Sequence, residues 1–132
     1  MTDAIRYEKG QDQIVVLTLD MPGQSANTMN AAYREAMAAT LMRLEAEKDE
    51  IAGVVITSAK KTFFAGGDLN ELINVDKAHA KAFYDSVLVL KAQLRRLETL
   101  GKPVVAASKG AARGGGWENF LACHPRVALG DK

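Results

Sequence analysis

The chain has 132 residues, a formal net charge of +1 at pH 7, 48% hydrophobic residues and 25% charged residues. This balance is typical of one globular domain, excludes a disordered chain, and provides no broad field for nucleic acid. Cys123 is the single cysteine, so an intrachain disulfide and a Cys/His zinc site are also excluded. The first residues lack the basic region and long apolar stretch typical of a signal peptide, no run approaches the ~18 apolar residues that cross a bilayer, and we expect a cytoplasmic protein.

The first half of the chain predicts a β-hairpin followed by a helix. Two β-branched segments, residues 5–8 and 14–19, flank a turn-prone stretch around Gly10. A polar loop at residues 25–30 is suited to ligand contact, and Asn27 or Asn30 can cap the next element. From 31 to 48, apolar residues recur every three or four positions, which predicts a helix with one buried face.

The second half alternates predicted strands and helices. Residues 54–57 and 104–107 form short apolar runs, typical of parallel strands covered on both faces. Helices are predicted over residues 68–74, 77–100 and 115–123, with Gly101 ending the second, and a last strand over 126–129. The order β-β-α-β-α-β-α-β predicts an α/β fold with parallel neighbours and no internal domain boundary.

Two glycine clusters lie at the exits of the two apolar strands, where ligands bind in open α/β folds. The first, residues 65–68, contains Gly66 and Gly67, and the second contains Gly115 at the predicted start of a helix. Glycine lets a carbonyl approach backbone N–H groups closely, so both turns could supply donors to one developing oxyanion. Glu118 would then move the proton, while Asp68 is more simply a helix cap.

Each of these features also has an ordinary structural explanation. Short glycine clusters are more often tight turns than sites, and a lone glutamate is more often a solvated helix residue. We expect a surface position for His79, a strand-flanking one for His124, neither with a partner, and a buried inert thiol at Cys123. Two positions remain open. Trp117 is either a core residue or part of a pocket wall, and Lys60 and Lys61 are either a solvated pair or a phosphate contact.

The motifs resemble those of the crotonase (enoyl-CoA hydratase/isomerase) superfamily. The resemblance rests on Thr-Phe-Phe-Ala-Gly-Gly-Asp-Leu at residues 62–69, Gly-Lys-Pro-Val-Val-Ala-Ala at 101–107 and Gly-Gly-Gly-Trp-Glu at 114–118. It covers nearly the whole chain, as the N-terminal portion of one crotonase-fold domain at residues 1–132. Within the superfamily, the sequence is most similar to the N-terminal hydratase part of bacterial fatty-acid oxidation complex α subunits.

The resemblance implies a ββα spiral core, incomplete at the C-terminus, that binds an acyl-CoA thioester and adds water to a 2-enoyl-CoA in β-oxidation. It implies oxyanion-hole N–H groups on Gly67 and Gly115 and an acid/base role for Glu118. It also implies a trimer-based homo-oligomer and no metal or redox cofactor, with coenzyme A entering only as part of the substrate. The substrate-binding residues that it implies are Ser25, Ala26, Asn27, Ala65, Gly66, Gly67, Asp68, Leu69, Gly114 and Gly115.

Several positions depart from the family pattern. The second glutamate of the hydratase pair belongs to a segment after the strand ending near Leu129, so we expect an incomplete catalytic pair. Arg113 and Ser108 stand where apolar residues are usual, and a charge buried at Arg113 without a partner would be costly. Two alternatives to hydration therefore stay open: double-bond isomerisation with one carboxylate, or an inactive fragment that binds CoA or self-associates.

Overall fold

The chain forms a five-stranded sheet in the computed structural model, which describes residues 4–130. The strands lie in chain order across the sheet. β1 pairs antiparallel with β2, and the remaining neighbours are parallel, which confirms the predicted hairpin and the α/β class. The strands are β1 (Ile5–Lys9), β2 (Ile14–Leu19), β3 (Gly53–Ser58), β4 (Val104–Ser108) and β5 (Arg126–Ala128).

Within the described range, four α-helices connect or follow these strands: α1 (Ala31–Ala46), α2 (Leu69–Ile73), α3 (Ala80–Glu98) and α4 (Gly115–Leu121). Single 3-10 turns, Lys48–Glu50 and Lys77–His79, follow α1 and precede α3. Asn30 caps α1, because its Oδ1 accepts the Tyr33 N–H at 2.9 Å. Asp68 caps α2 through the N–H groups of the second and third helical residues, as the sequence predicted.

The core lies between α1 and the sheet. The predicted stripe of α1 is buried along its whole length, at Tyr33, Met37, Leu41 and Leu44. It packs with inward residues of the central strands, including Leu17 and Ile56, in one continuous apolar cluster. This packing fixes the carboxyl ends of β3 and β4, from which both glycine clusters extend.

One expectation about burial is wrong within residues 4–130. Residues of β3 alternate between buried and half-buried, so one face of the strand is covered fully and the other only in part. The apolar residues of α3 are buried only towards its C-terminal end, at Leu97, while Phe83 near its start remains 38% exposed. Within the described range, no helix is both long and apolar enough to cross a membrane.

Candidate functional site

The two glycine clusters touch each other. We call residues 65–68 the first glycine loop and residues 114–116 the second. The segment before the first loop runs beside the segment before the second, because the Phe63 N–H donates to the Ala111 carbonyl at 2.9 Å and the Arg113 N–H donates to the Phe64 carbonyl at 3.0 Å. The predicted convergence of the two turns at one sheet edge is therefore present in the fold.

Glycine is required where the loops meet. Gly66 has a φ of +103°, and a Cβ there would lie 3.3 Å from the Arg113 carbonyl oxygen. A Cβ on Gly116 would lie 2.3 Å from the Phe64 Cβ, a distance that no real side chain adopts. By contrast, a Cβ on Gly67 would meet only the flexible Leu72 side chain, at 3.4 Å. The space beside Gly67 is thus open towards a ligand.

Asn27 holds the first loop in place from the interior. Its side chain is fully buried and accepts a hydrogen bond from the Met21 N–H at 3.0 Å. The amide nitrogen donates to Ser58 Oγ at 2.8 Å and to the Phe63 carbonyl at 3.3 Å, as well as to a carbonyl of β2. The backbone carbonyl of Asn27 accepts the Ala65 N–H at 2.8 Å. The sequence placed Asn27 among the ligand contacts, but its side chain is already occupied by the protein.

A cleft of about 220 Å³ opens between the first loop, α3 and α4. It brings together Gly67 of the first loop and Glu118 of α4, two residues that the sequence assigned to one site. Most of the surface that lines it is apolar. The apolar side chains of the lining are Met29, Leu72, Phe83, Val87 and Leu90.

The carboxylates of this cleft differ in what they contact. Asp68 caps α2, and Glu71 accepts the Ala31 N–H at 3.0 Å and pairs with Arg34 at 3.2 Å. The Glu118 side chain is exposed, and its carboxylate makes no hydrogen bond or ion pair with another residue in the range 4–130. It is therefore the cleft carboxylate that is available for proton transfer.

The two loops provide the candidate backbone donors of the site. The Gly67 N–H makes no hydrogen bond to another described residue, although the neighbouring Gly66 carbonyl accepts the Met29 N–H at 2.8 Å. Gly115 begins α4, where helix N–H groups lack partners inside the helix. Both candidate donors thus belong to loops that touch each other.

A wider groove of about 580 Å³ lies on the outer side of the first loop. Six of the predicted substrate-binding residues line it: Ala65, Gly66, Gly67, Asp68, Leu69 and Gly114. Gly67 faces both the groove and the cleft, so the two spaces adjoin at that residue. Ser25 is exposed and Ala26 is half-buried, and neither lines these spaces; their contact with a ligand stays a prediction.

Sequence reasoning missed the part of the cleft that α1 and α3 provide. Arg34 and Glu71 are 37 residues apart and were not singled out, because their pairing depends on how α2 lies against α1. Phe83 and Val87 have helical spacing in the sequence, which did not indicate that they line the cleft. The apolar period of α3 was the available signal, since the same face can cover a core or a ligand.

The remaining candidates take ordinary positions. His79 and His124 are exposed as predicted, but each has a partner, since His79 Nδ1 lies 2.7 Å from Asp76 and His124 Nε2 lies 3.4 Å from a backbone carbonyl. Lys60 pairs with Asp20 at 2.9 Å, so it is not a free phosphate ligand. Arg113 is exposed, and the predicted cost of burying its charge does not arise.

The packing of α4 defines the surroundings of Trp117 and Cys123. Trp117 is 49% exposed and stacks on Phe120 at 5.5 Å between ring centroids, so it is not a core residue, nor does it line the cleft. Cys123 is buried, as predicted, and its thiol donates to the Asn119 carbonyl. Burial raises the pKa of this thiol to about 11.

Known proteins are similar to this chain in both sequence and fold. The family model described as enoyl-CoA hydratase/isomerase matches residues 9–131. The fatty acid oxidation complex subunit alpha of Idiomarina loihiensis is 38% identical over 128 residues, which cover 94% of this chain and 17% of that protein. The chain therefore spans only a small part of this curated relative.

Solved structures agree with this similarity. An enoyl-CoA hydratase from Bacillus anthracis superposes with a TM-score of 0.82 at 28% identity, covering 96% of this chain and 47% of that one. DspI from Pseudomonas aeruginosa gives a TM-score of 0.81 at 30% identity, covering 96% and 46%. The chain spans about half the length of these structures. From the match along residues 9–131 and these relatives, the chain belongs to the enoyl-CoA hydratase/isomerase family.

Proposed function

We propose that the chain binds a 2-enoyl-CoA thioester and adds water across its double bond, as an enoyl-CoA hydratase of fatty-acid β-oxidation. The observation that carries the proposal is the cleft shared by Gly67 and Glu118, which combines a loop backbone donor, an unengaged carboxylate and an apolar lining. Family membership and the similarity to a fatty acid oxidation subunit support the choice of thioester.

In this proposal, the N–H groups of Gly67 and Gly115 donate hydrogen bonds to the thioester carbonyl oxygen. Charge develops on that oxygen when the double-bond electrons move towards the carbonyl to form an enolate. Donors held in place before the reaction stabilise such charge by roughly 3–4 kcal/mol each. The contact between the two loops supports this role, because it fixes the backbone of each donor relative to the other.

Glu118 moves the proton. Its carboxylate accepts a proton from water while the water oxygen forms a bond to C3 and the C2–C3 double bond becomes the enolate. The resulting carboxylic acid then delivers the proton to C2, and the enolate electrons restore the thioester carbonyl. The apolar side chains of the cleft, such as Phe83 and Leu72, would hold the acyl chain and limit the access of other water molecules.

Isomerisation of a 3-enoyl-CoA to the 2-enoyl-CoA is the second candidate. It is favoured by the finding that Glu118 is the one carboxylate of the cleft without a partner among residues 4–130, because a single base suffices to move a proton from C2 to C4. The same two donors would stabilise the intermediate enolate. The two reactions give different products, so one chromatographic assay distinguishes them.

Glu118→Gln tests both reactions. We expect turnover of crotonyl-CoA or of a 3-enoyl-CoA to fall by about 100-fold or more, while the Kd for butyryl-CoA changes less than about twofold. Glu8→Gln, at an exposed position on β1, is the matched control and should leave both values unchanged. Turnover that survives in the Glu118 variant would remove this residue from the reaction. Binding without turnover in the unaltered chain would instead support a non-catalytic CoA-binding protein.

A further inference from the structure

A buried hydrogen bond links α1 to the helix that carries Glu118. Tyr33, in the first turn of α1, has no exposed surface, and its hydroxyl donates to the Asn119 side-chain oxygen at 2.7 Å. Asn119 itself is 1% exposed and directly follows Glu118 in the sequence. The two partners are 86 residues apart, so the bond connects separate parts of the fold.

The same tyrosine also contacts the segment before the first glycine loop. Its ring packs edge-to-face on Phe64, with ring centroids 5.2 Å apart and an interplanar angle of 79°. The Phe64 carbonyl accepts the Arg113 N–H, and the Phe64 side chain fills the space beside Gly116. Tyr33 therefore lies against the junction of the two loops as well as against α4.

The orientation of α4 depends on such contacts. The helix has seven residues, too few to be stable alone, so tertiary contacts must hold it. Adjacent residues of a helix point about 100° apart, and the structure places Asn119 in the interior and Glu118 at the cleft. A bond that fixes the rotation of Asn119 about the helix axis also fixes the direction of Glu118.

We propose that Tyr33 is a positioning residue that sets the orientation of Glu118 and of the α4 N-terminus through its hydrogen bond to Asn119. This inference rests on the proposed function for its catalytic consequence, but not for its structural one. Tyr33→Phe removes the hydroxyl and keeps the ring on Phe64, so the oxygen of a buried amide loses a partner. The resulting change should appear in α4 rather than in the fold as a whole.

The catalytic test uses exchange of the C2 protons of butyryl-CoA in D2O, followed by NMR. Exchange needs one base and an enolate-stabilising site, so it reports on Glu118 and both donors together. We expect Tyr33→Phe to lower kcat for exchange by about tenfold, with KM changed less than about twofold. Thr40→Val is the matched control, because it also removes a buried α1 hydroxyl, one that bonds the Ala36 carbonyl at 2.7 Å away from the cleft.

A second measurement does not require activity. Trp117 is the only tryptophan of the chain, precedes Glu118, and stacks on Phe120 of the same helix. Its emission wavelength and anisotropy therefore report the state of α4 directly. We expect both to change in Tyr33→Phe and to stay at their original values in Thr40→Val, at temperatures where both variants are folded by circular dichroism.

The outcomes separate the two proposals. Exchange by the unaltered chain that is equally fast in Tyr33→Phe, with unchanged tryptophan emission, overturns the positioning role. Absence of exchange in the unaltered chain overturns the proposed enolate chemistry, and the Trp117 emission then decides the role of Tyr33 alone. An equal loss of exchange in Thr40→Val and Tyr33→Phe would show general destabilisation and would also overturn positioning.

Discussion

Asn27→Ala should destabilise the fold severely, although the residue lies in a connecting loop. The side chain is fully buried, and its removal leaves the Met21 N–H and the Phe63 carbonyl without their partner. The other two acceptors are less affected, because the Leu19 carbonyl also accepts from Ala59 and Ser58 Oγ also bonds Thr62. Two unsatisfied buried groups cost about 1–3 kcal/mol each, so we expect a loss of about 2–6 kcal/mol.

This loss is a large fraction of the roughly 5–15 kcal/mol that stabilises a domain. In urea denaturation followed by circular dichroism, the midpoint of Asn27→Ala should fall by roughly 1–3 M. Asn74→Ala is the matched control, because Asn74 is exposed and its amide donates to the Asn70 carbonyl where water can replace it. The control should change the free energy of unfolding by less than about 0.5 kcal/mol. Equal midpoints for Asn27→Ala and Asn74→Ala would refute the assignment of Asn27 as the anchor of the first loop.

Three further predictions concern individual side chains. Gly66→Ala should lower the free energy of unfolding by about 1–2 kcal/mol, because residue 66 has a positive φ. Gly67→Ala should leave the free energy of unfolding nearly unchanged and slow the turnover of acyl-CoA. Equal urea midpoints for the two variants would contradict this prediction. Cys123 should react with an aromatic disulfide reagent at pH 8 far more slowly in the folded chain than in urea, since burial raises the pKa of its thiol to about 11. Equal reaction rates in the folded and the unfolded chain would contradict this prediction. The hydrogen bond from Lys60 lowers the pKa of Asp20 in the folded chain. The unaltered chain should therefore be more stable than Asp20→Asn well above pH 3.8, and this difference in stability should decline as the pH falls below that value. A difference in Tm that does not depend on pH would refute the pairing.

The elements that the sequence predicted well are those specified by local pattern. The stripe of α1 repeats every three or four residues and is buried throughout, and the cap at Asn30 lies directly before the helix. The glycine after α3 has a φ of +88°, as expected where a helix ends. Such features depend on residues close together in the chain, so periodicity and turn chemistry are sufficient to predict them.

The apolar pattern of α3 predicts a helix but not what its apolar face contacts. Apolar residues from Phe83 to Leu97 have helical spacing, and the helix is present. The spacing identifies an apolar face but not what lies against that face. In the structure, the C-terminal end of the helix packs on the core, while Phe83 and Val87 border the cleft. The spacing alone therefore does not show which of these side chains border the cleft.

The supporting residues of the site depend on contacts across long stretches of sequence. The Asn27 side chain bonds groups up to 36 residues away, and Tyr33 bonds Asn119 across 86 residues. Nothing local distinguishes Asn27 from the polar Ser25 two residues earlier, because the buried carbonyls that it satisfies belong to β2 and to the segment before the first loop. A single sequence can thus indicate the residues that face a ligand, but not those that hold them.

The glycines of the two loops combine two separate requirements that look identical in sequence. Gly66 and Gly116 are needed because backbone and Phe64 atoms of the adjoining segment leave no room for a Cβ. Gly67 meets no such obstacle, so the fold alone would accept a Cβ there, and under the proposed function glycine at this position leaves room for a ligand in the cleft. The first two positions therefore maintain the contact between the loops, and Gly67 is the position at which substitution tests the ligand rather than the scaffold.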